Sequence, residues 1–397
     1  MHILILPSWY PSENEPIQGI FFREQSQALK RFGYQVGVIF IHFLSIRSLS
    51  FYKFKQYKSL KYLDDYQIPS YQSFSFGFLC RLPVSLFLAT TGIDKIFQDY
   101  IQNFGIPDVI HAHSALMGGL IAWNLKNKYN IPYVITEHNT IYYEIEKLSR
   151  LDLSLSRKIF FNANYRIVVS QHLGETLENY FGDSFKPWFS IPNMLDSQFV
   201  QNEEIDNEIE NKIKLVPRKS SKFRFLCIAL MNESKGHNLL IKTFDYEFKN
   251  INNVELYLAG NGDYLESLQL LVKQLALDDK VFFLGLLERK QIVKELLSCD
   301  VLVLPSEYET FGVVLIEAFA CGKPVICTAV GGSQFLINNN NGLVVFPRNQ
   351  NTLAKSMRYM YNNIHQYNSQ KIRQDSISMF SEDVIIQKLS KLYNSLI

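Results

Sequence analysis

At 397 residues, 47% hydrophobic and 20% charged, the chain is long enough for two globular domains and has an ordinary soluble α/β composition. Its net charge of +2 argues against a dedicated nucleic-acid binder. No apolar run approaches the roughly 20 residues of a membrane span, and Met1–Leu6 is too short and lacks the basic lead of a secretory signal. A cytoplasmic protein is therefore expected, soluble or peripheral at the inner face of the membrane. Cys80, Cys227, Cys299, Cys321 and Cys327 stand singly in apolar surroundings without a C-x2-C pair, which predicts reduced core thiols.

HILILP, His2–Pro7, reads as a first strand. A polar loop, Ser8–Gly19, leads to a helix over Ile20–Phe32, and a second strand covers Gln35–Ile41. The loop lacks a G-x-G-x-x-G fingerprint, which weakens a dinucleotide reading and with it a Rossmann oxidoreductase. Residues 42–92 are the least regular. Arg47, Lys53, Lys55, Lys58 and Lys61 interleave there with Phe51, Tyr52, Phe54, Tyr57 and Tyr62. Two readings stay open: a basic-aromatic surface for an anionic membrane, or an amphipathic excursion whose aromatics pack on the first domain. In PDVIHAHSALMGG, Pro107–Gly119, His111 and His113 end a short strand. Residues two apart share a face, so both imidazoles can enter one crevice at the carboxyl edge of the sheet. A metal pair would need a third ligand, and none of suitable spacing is evident; a buried histidine holding the loop is the other reading. Further strands are read in IPYVITEHNT, Ile131–Thr140, and YRIVVSQHLGETL, Tyr165–Leu177, with His172 on a surface helix. Gln201–Lys222, rich in Glu, Asn and Lys, reads as a linker and places the domain boundary near residue 200.

The second half opens on the strand FRFLCIAL, Phe223–Leu230, which runs into Lys235 and Gly236 before a helix. Lys235 at a strand-to-helix loop suits a diphosphate as a point charge. VELYLAGNGD, Val254–Asp263, is a strand followed by the glycine loop Gly260 and Gly262; Lys280–Ser306 is strand, turn, helix and strand. The most informative stretch is PSEYETFGVVLIEAFACGKPVICTAVGG, Pro305–Gly332. The buried strand Val301–Leu304 stops at Pro305, a helix starts after Gly312, and a strand covers Pro324–Cys327. Gly312 would let a ligand approach the amides of Val313 and Val314, whose unpaired N–H groups and helix dipole favour a phosphate. Glu309 and Glu317 would then flank a diphosphate, one toward a sugar and one toward a ribose. A short edge strand, Gly342–Pro347, a helix near 350–363 and a closing helix, Ser381–Ser395, complete the chain.

The frame PS-x-x-E-x-FG-x-x-x-x-EA-x-A-x-G-x-PV around Glu309 and Glu317 resembles the signature of the retaining glycosyltransferase family 4 (glycosyl transferases group 1). The likeness covers nearly the whole chain, strongest over 223–347 and weaker over 1–41 and 107–196. It implies an α/β protein of the GT-B fold, two Rossmann-like domains facing across a cleft with a C-terminal helix crossing back to the first. The expected division is an acceptor-binding domain 1–200, the linker 201–222, a nucleotide-sugar-binding domain 223–375, and 376–397 packing back on the first domain. The resemblance places Gly19 against the donor phosphates and His113 beside the donor sugar, with His111 as its alternate. Glu137, His138 and Ser170, ending inner strands, become candidate acceptor residues together with His111. Lys235, Gly260, Gly262, Glu309, Phe311, Gly312, Val313, Val314 and Glu317 would hold the nucleotide-sugar, with His113, Glu309 and Lys235 carrying catalysis. Leu286 and Leu287 would border the base.

The chain departs from the family at three places. Leu230 stands where many members have an arginine, Met194 replaces the glycine of an Ile-Pro-Asn-Gly turn, and Phe335 occupies a position often acidic. The implied reaction is transfer of a sugar from a nucleotide-sugar to an acceptor hydroxyl with retention. No Asp-x-Asp motif is present, and neither metal nor other cofactor is expected. The acceptor implied is a glycan or lipid-linked glycan of capsule, O-antigen or exopolysaccharide assembly. The rival readings are a non-catalytic sugar-nucleotide-binding partner of a transferase and a GT-B nucleotide-sugar epimerase.

Overall fold

The computed structural model describes residues 1–11, 18–44, 60–64, 66–76, 83–182, 187–200, 205 and 222–397. They form two compact units: Met1–Pro192 with Ile385–Ile397, and Asn193–Val384.

The first unit is built on β1 (His2–Pro7), β2 (Gln35–Leu44), β3 (Leu60–Leu63), β4 (Pro69–Phe76), β5 (Val109–His113), β6 (Tyr133–Glu137), β7 (Tyr165–Val168) and β8 (Trp188–Ser190). Their order across the sheet is β3-β4-β2-β1-β5-β6-β7-β8, and every neighbouring pair is parallel except β3 with β4. Parallel pairing needs crossovers, supplied by α1 (Ile20–Arg31), α2 (Pro83–Phe104), α3 (Leu120–Tyr129), α4 (Arg150–Asn162) and α5 (Gln171–Phe181). β1, β5 and β6 are buried at every residue, including the polar His111, His113, Thr136 and Glu137 at the carboxyl ends of β5 and β6. α4 starts at a reciprocal capping box between Ser149 and Asp152. From Ile385 onward the closing helix belongs to this unit: Tyr34 Oη donates to Ser390 Oγ at 2.6 Å, and His111 Nδ1 lies 2.6 Å from Tyr393 Oη.

The stretch 42–92, irregular by sequence, contains β3, β4 and the start of α2. Arg47, Lys53, Lys55, Lys58, Phe51, Tyr52, Phe54 and Tyr57 of the basic-aromatic stretch lie outside the described residues. Lys61, on β3, pairs with Asp99 and sits 5.5 Å from the centre of the Tyr71 ring. Among the described residues no helix is long and apolar enough to cross a membrane.

The second unit orders β9 (Phe223–Ile228), β10 (Val254–Ala259), β11 (Val281–Gly285), β12 (Val301–Leu304), β13 (Val325–Thr328) and β14 (Gly342–Val345) as β11-β10-β9-β12-β13-β14, parallel throughout. The core joins Phe225, Leu256, Leu258, Val301, Val303 and Ile326 of the strands to Leu240 and Phe244 of a helix, His237–Phe248. Cys227, Cys299, Cys321 and Cys327 are buried thiols in no disulfide, and burial pushes Cys227 and Cys327 up to about 12.

Composition places the domain boundary near residue 200, but the division falls at Pro192/Asn193. Arg373 explains the difference. Its guanidinium, 6% exposed, donates to the carbonyls of Phe199 at 2.7 Å, Val200 at 3.0 Å and Ala320 at 2.6 Å, tying residues 193–200 into the second unit. Residues 376–384, expected on the first domain, also stay with the second unit. Here Ser376 Oγ donates to Ile316 O at 3.1 Å, and Leu195 N donates to Phe380 O at 2.8 Å. The expected linker, 201–222, lies outside the described residues except for Ile205 and Lys222.

Two buried lysines close helix ends by the same chemistry. Lys280 Nζ donates to the carbonyls of Lys249 at 2.6 Å and Ile251 at 2.9 Å, just beyond the helix ending at Phe248. Lys323, wholly buried, donates to Leu297 O at 2.6 Å and Cys299 O at 2.8 Å at the end of the helix Arg289–Ser298. The last carbonyls of a helix are orphaned and carry negative partial charge, so a cation there satisfies both needs. Lys323→Ala should cost about 3–4 kcal/mol, because two buried carbonyls lose their donor and a cavity opens. A urea unfolding midpoint that barely moves would show that water replaces the ammonium.

Candidate functional site

In an open parallel sheet, ligands gather beyond the carboxyl ends of the strands where the order reverses. In the second unit that point lies between β9 and β12, and in the first between β1 and β5. Lys235 follows β9, and Glu309 follows β12. Lys235 Nζ donates to Glu309 Oε2 at 2.9 Å, so two residues 74 apart in sequence meet at the switch point. Both side chains are partly open to solvent, at 21% and 15% exposure. The loops are stitched together by Glu307 N donating to Ser234 O at 2.7 Å. Gly236 allows this approach, since a Cβ there would lie 2.1 Å from Pro305 O.

Gly312 has φ +83° and opens the eight-residue helix Val313–Ala320, with no side chain capping its first amides. Its conformation is one an L side chain rarely adopts; Leu315 N donates to Gly312 O at 2.9 Å, so the amides of Val313 and Val314 are the ones placed for a ligand or water. Val313 and Val314 are half-buried on that turn. Glu317, 3% exposed, pairs with Arg289 Nη1. Phe311 is also buried, its ring edge-on to Phe380 at 5.9 Å, so its side chain packs in the core. Gly260 and Gly262 press on the neighbouring loop: a Cβ on either would lie 2.0 Å from Ala229 O or 2.4 Å from Met231 O. Leu230, where an arginine was expected by resemblance, is 50% exposed, and Phe335 is 68% exposed. Leu286, following β11, is exposed as well.

In the first unit His111 and His113 share a face as their spacing predicts, with ring centres 4.2 Å apart. Both are fully buried. His111 has Tyr393 Oη at 2.6 Å on Nδ1 and Thr136 Oγ1 at 2.7 Å on Nε2, so neither nitrogen is free for an acceptor. It holds the closing helix. His113 Nδ1 lies 3.1 Å from His138 Nε2, while His113 Nε2 and His138 Nδ1 are buried without a partner among the described residues. Burial lowers all three, His111 and His138 to about 3 and His113 well below the ordinary range; the neighbouring imidazoles add to the effect on His113 and His138. Phe22 packs on the His113 ring at 4.5 Å.

Glu137 is fully buried and accepts from the amides of Ala115 at 2.9 Å, His138 at 2.8 Å and Asn139 at 2.8 Å. Burial raises its pKa, and these donors pull it back. It therefore organises the loops after β5 and β6. Ser170 caps α5, its Oγ accepting from Leu173 N at 3.3 Å. Gly19 caps α1 in a left-handed conformation, and a Cβ there would lie 2.7 Å from Trp9 O. Its geometry is that of a helix entry fitted against Trp9. Beside it a cavity of about 210 Å³ is lined by Ser8, Trp9, Ser114, Glu137, Asn139 and Tyr142, with Ala115, Leu116 and Met117.

Arg289 and Trp9 escape the sequence argument. Arg289 lies 28 residues from Glu317 with no periodic link, and Trp9 sits in a loop whose polar composition hides it.

Two family profiles match, the Glycosyltransferase Family 4 profile over residues 18–199 and the Glycosyl transferases group 1 profile over 208–374. A Bacillus subtilis glycosyltransferase named for teichuronic acid biosynthesis, TuaC, is 26% identical over 92% of this chain and 90% of its own length. An uncharacterised glycosyltransferase of Methanocaldococcus jannaschii is 29% identical over 72% of this chain and 75% of its own. Among solved structures, a sucrose-phosphate synthase from Thermosynechococcus elongatus superposes with a TM-score of 0.76 at 21% identity, covering 100% of this chain and 98% of that one. Anabaena HepE, solved in complex with UDP, superposes with a TM-score of 0.74 at 19% identity, with full coverage of both chains. The two profiles account for both units, and the chain belongs to the family 4 glycosyltransferases, glycosyl transferases group 1, with the GT-B fold.

Proposed function

We propose that the chain transfers a sugar from a nucleotide-sugar to an acceptor hydroxyl with retention at the anomeric carbon and without a metal, and that its acceptor is a lipid-linked glycan of a cell-surface polysaccharide. The observation that carries the donor reading is the Lys235–Glu309 pair beside the uncapped turn at Gly312. Before the donor binds, the two charges satisfy each other. A diphosphate would draw the Lys235 ammonium away, and the freed Glu309 carboxylate would accept from sugar hydroxyls. Charge developing on the departing diphosphate would fall on Lys235 and the amides of Val313 and Val314. Glu317, held by Arg289, would accept from the ribose. In the first unit, His113 is the candidate for the sugar ring, since its Nε2 has no hydrogen-bond partner among the described residues. The polysaccharide reading is supported by the likeness to TuaC over nearly the full length of both chains.

One observation favours a second reading. Leu230 leaves the turn after β9 one cation short of many relatives, as a non-catalytic sugar-nucleotide-binding partner of a transferase would be. A thermal-shift screen against UDP, GDP, ADP and their sugar conjugates tests the donor site. At a hundredfold excess over Kd the native state gains about 2.7 kcal/mol, or about 5 °C or more for a unit of this size. Lys235→Ala should shrink the shift at the same nucleotide concentration. Radiolabelled transfer in the presence of EDTA then separates enzyme from partner and tests metal independence. No shift with any nucleotide would sink the donor assignment.

A further inference from the structure

We propose that the cavity of the first unit receives an uncharged pyranose or polyol end of the acceptor, stacked on Trp9, and discriminates against phosphorylated or carboxylated acceptors. The inference rests on the reading that an acceptor hydroxyl enters this unit, and it names the chemistry of that acceptor.

The cavity lies beyond the carboxyl ends of β1, β5 and β6, at the reversal of strand order. Its volume of about 210 Å³ falls below the roughly 300–1,000 Å³ of pockets for drug-sized ligands, and suits a single ring. The lining includes Trp9, Ser8, Ser114, Asn139 and Met117, of which Ser8 Oγ is already engaged, donating to His113 O at 2.6 Å and accepting from Gly118 N at 3.0 Å. Asn139 Oδ1 already accepts from Ile141 N at 3.0 Å, which leaves its NH2 as the group able to donate. A pyranose carries one face of C–H groups and a rim of hydroxyls, the complement of an aromatic plate edged with small polar groups. The indole itself is fixed, since its ring packs 5.5 Å from Phe22 and Gly19 leaves the space it fills.

Charge decides the class. Among the described residues the lining includes one carboxyl, that of Glu137, a Tyr142 phenol that burial keeps neutral, and no Lys or Arg. The His113 and His138 imidazoles nearby are held neutral by burial, so they supply no cation at neutral pH. An anionic acceptor would lose its hydration here and meet a buried carboxylate with nothing to pair with. A neutral hydroxylated ring meets neither cost.

The test is saturation-transfer-difference NMR on the full chain with methyl α-D-glucopyranoside, methyl α-D-galactopyranoside and methyl N-acetyl-α-D-glucosaminide. Their anionic counterparts are glucose 6-phosphate, galactose 6-phosphate and methyl α-D-glucuronide. At least one neutral glycoside should give a signal that falls fivefold or more in Trp9→Ala. Its anionic counterpart should bind at least tenfold more weakly, with the gap widening at low salt. Met117→Trp, which fills the cavity and keeps the indole, serves if Trp9→Ala does not fold. Equal or tighter binding of the anionic sugars overturns the inference, as does the absence of any glycoside signal sensitive to both variants. The UDP, GDP and ADP shifts are read separately on the same proteins, so failure of the donor site is not mistaken for failure of this cavity.

Discussion

Lys235→Ala and Glu309→Gln should each lower turnover by roughly 10²–10³-fold while moving the melting temperature by only a few degrees. The asymmetry follows from where the pair sits. At 21% and 15% side-chain exposure the ion pair is largely buried yet reaches solvent, so desolvation offsets much of its Coulomb gain and its net contribution to folding is about 1 kcal/mol. In turnover the same groups act on charge that develops only as the leaving group departs, where a preorganised ammonium contributes most. The two variants should differ in kind. Lys235→Ala should also weaken the nucleotide, raising KM for the donor, whereas Glu309→Gln should leave nucleotide binding close to wild type and act on kcat. The double variant should lose less than the product of the single losses, because the residues act as one unit. Steady-state kinetics with the donor found by the nucleotide screen measure all of this. Full activity in either single variant would remove that residue from the site.

Acidification should destabilise the first unit steeply. Burial holds His111 and His138 at about 3 and His113 well below its ordinary range, whereas in the unfolded chain each titrates near 6.5. A histidine with a depressed folded pKa takes its proton first in the unfolded state, so its contribution is fully present above pH 6.5 and is lost as pH falls. The loss is about 1.4 kcal/mol per histidine per pH unit once the unfolded state is protonated. For three it is about 4 kcal/mol between pH 5.5 and 4.5. Burial of Glu137 raises its pKa and works in the opposite sense, limiting the loss at the acid end. Urea midpoints from pH 7 to 4.5 read the slope directly. His138→Phe, which keeps a ring against Phe21 and Phe22, should reduce it by about a third. A flat profile over this range would mean that the three rings are not buried neutral.

The strands of the second unit were the most legible part of the molecule. Val301–Leu304 and the helix Gln350–Asn363 stand where the apolar pattern put them, because buried parallel strands and amphipathic helices write their burial into local sequence. The helix Ser369–Phe380 left no such trace. Its sequence is mostly polar, and it is fixed by an Asn368 cap and the buried Arg373, which the alphabet of apolar residues does not record. The switch-point pair was legible through its frame, since Lys235 and Glu309 each follow a strand. Arg289 opposite Glu317 was not, because the partners lie on different helices. The meeting of His113 with His138 follows from register: His113, the last residue of β5, pairs with Thr136, and His138 comes directly after β6 ends at Glu137. Phe311 shows the converse, a residue inside a strong motif whose ring is core.

The first unit is discontinuous in sequence, for its closing helix follows the whole of the second. On a ribosome adding roughly 5–20 residues per second, domains complete as units in the order their last residue emerges. The unit begun first is therefore finished last. Until Tyr393 leaves the exit tunnel, the buried nitrogen of His111 has no hydroxyl to meet, and Tyr34 has no Ser390. The nascent N-terminal sheet must wait, with its last side uncovered, through the synthesis of nearly two hundred residues that fold on their own account. Its need for shelter during translation is set by chain connectivity, independent of how stable the finished protein becomes.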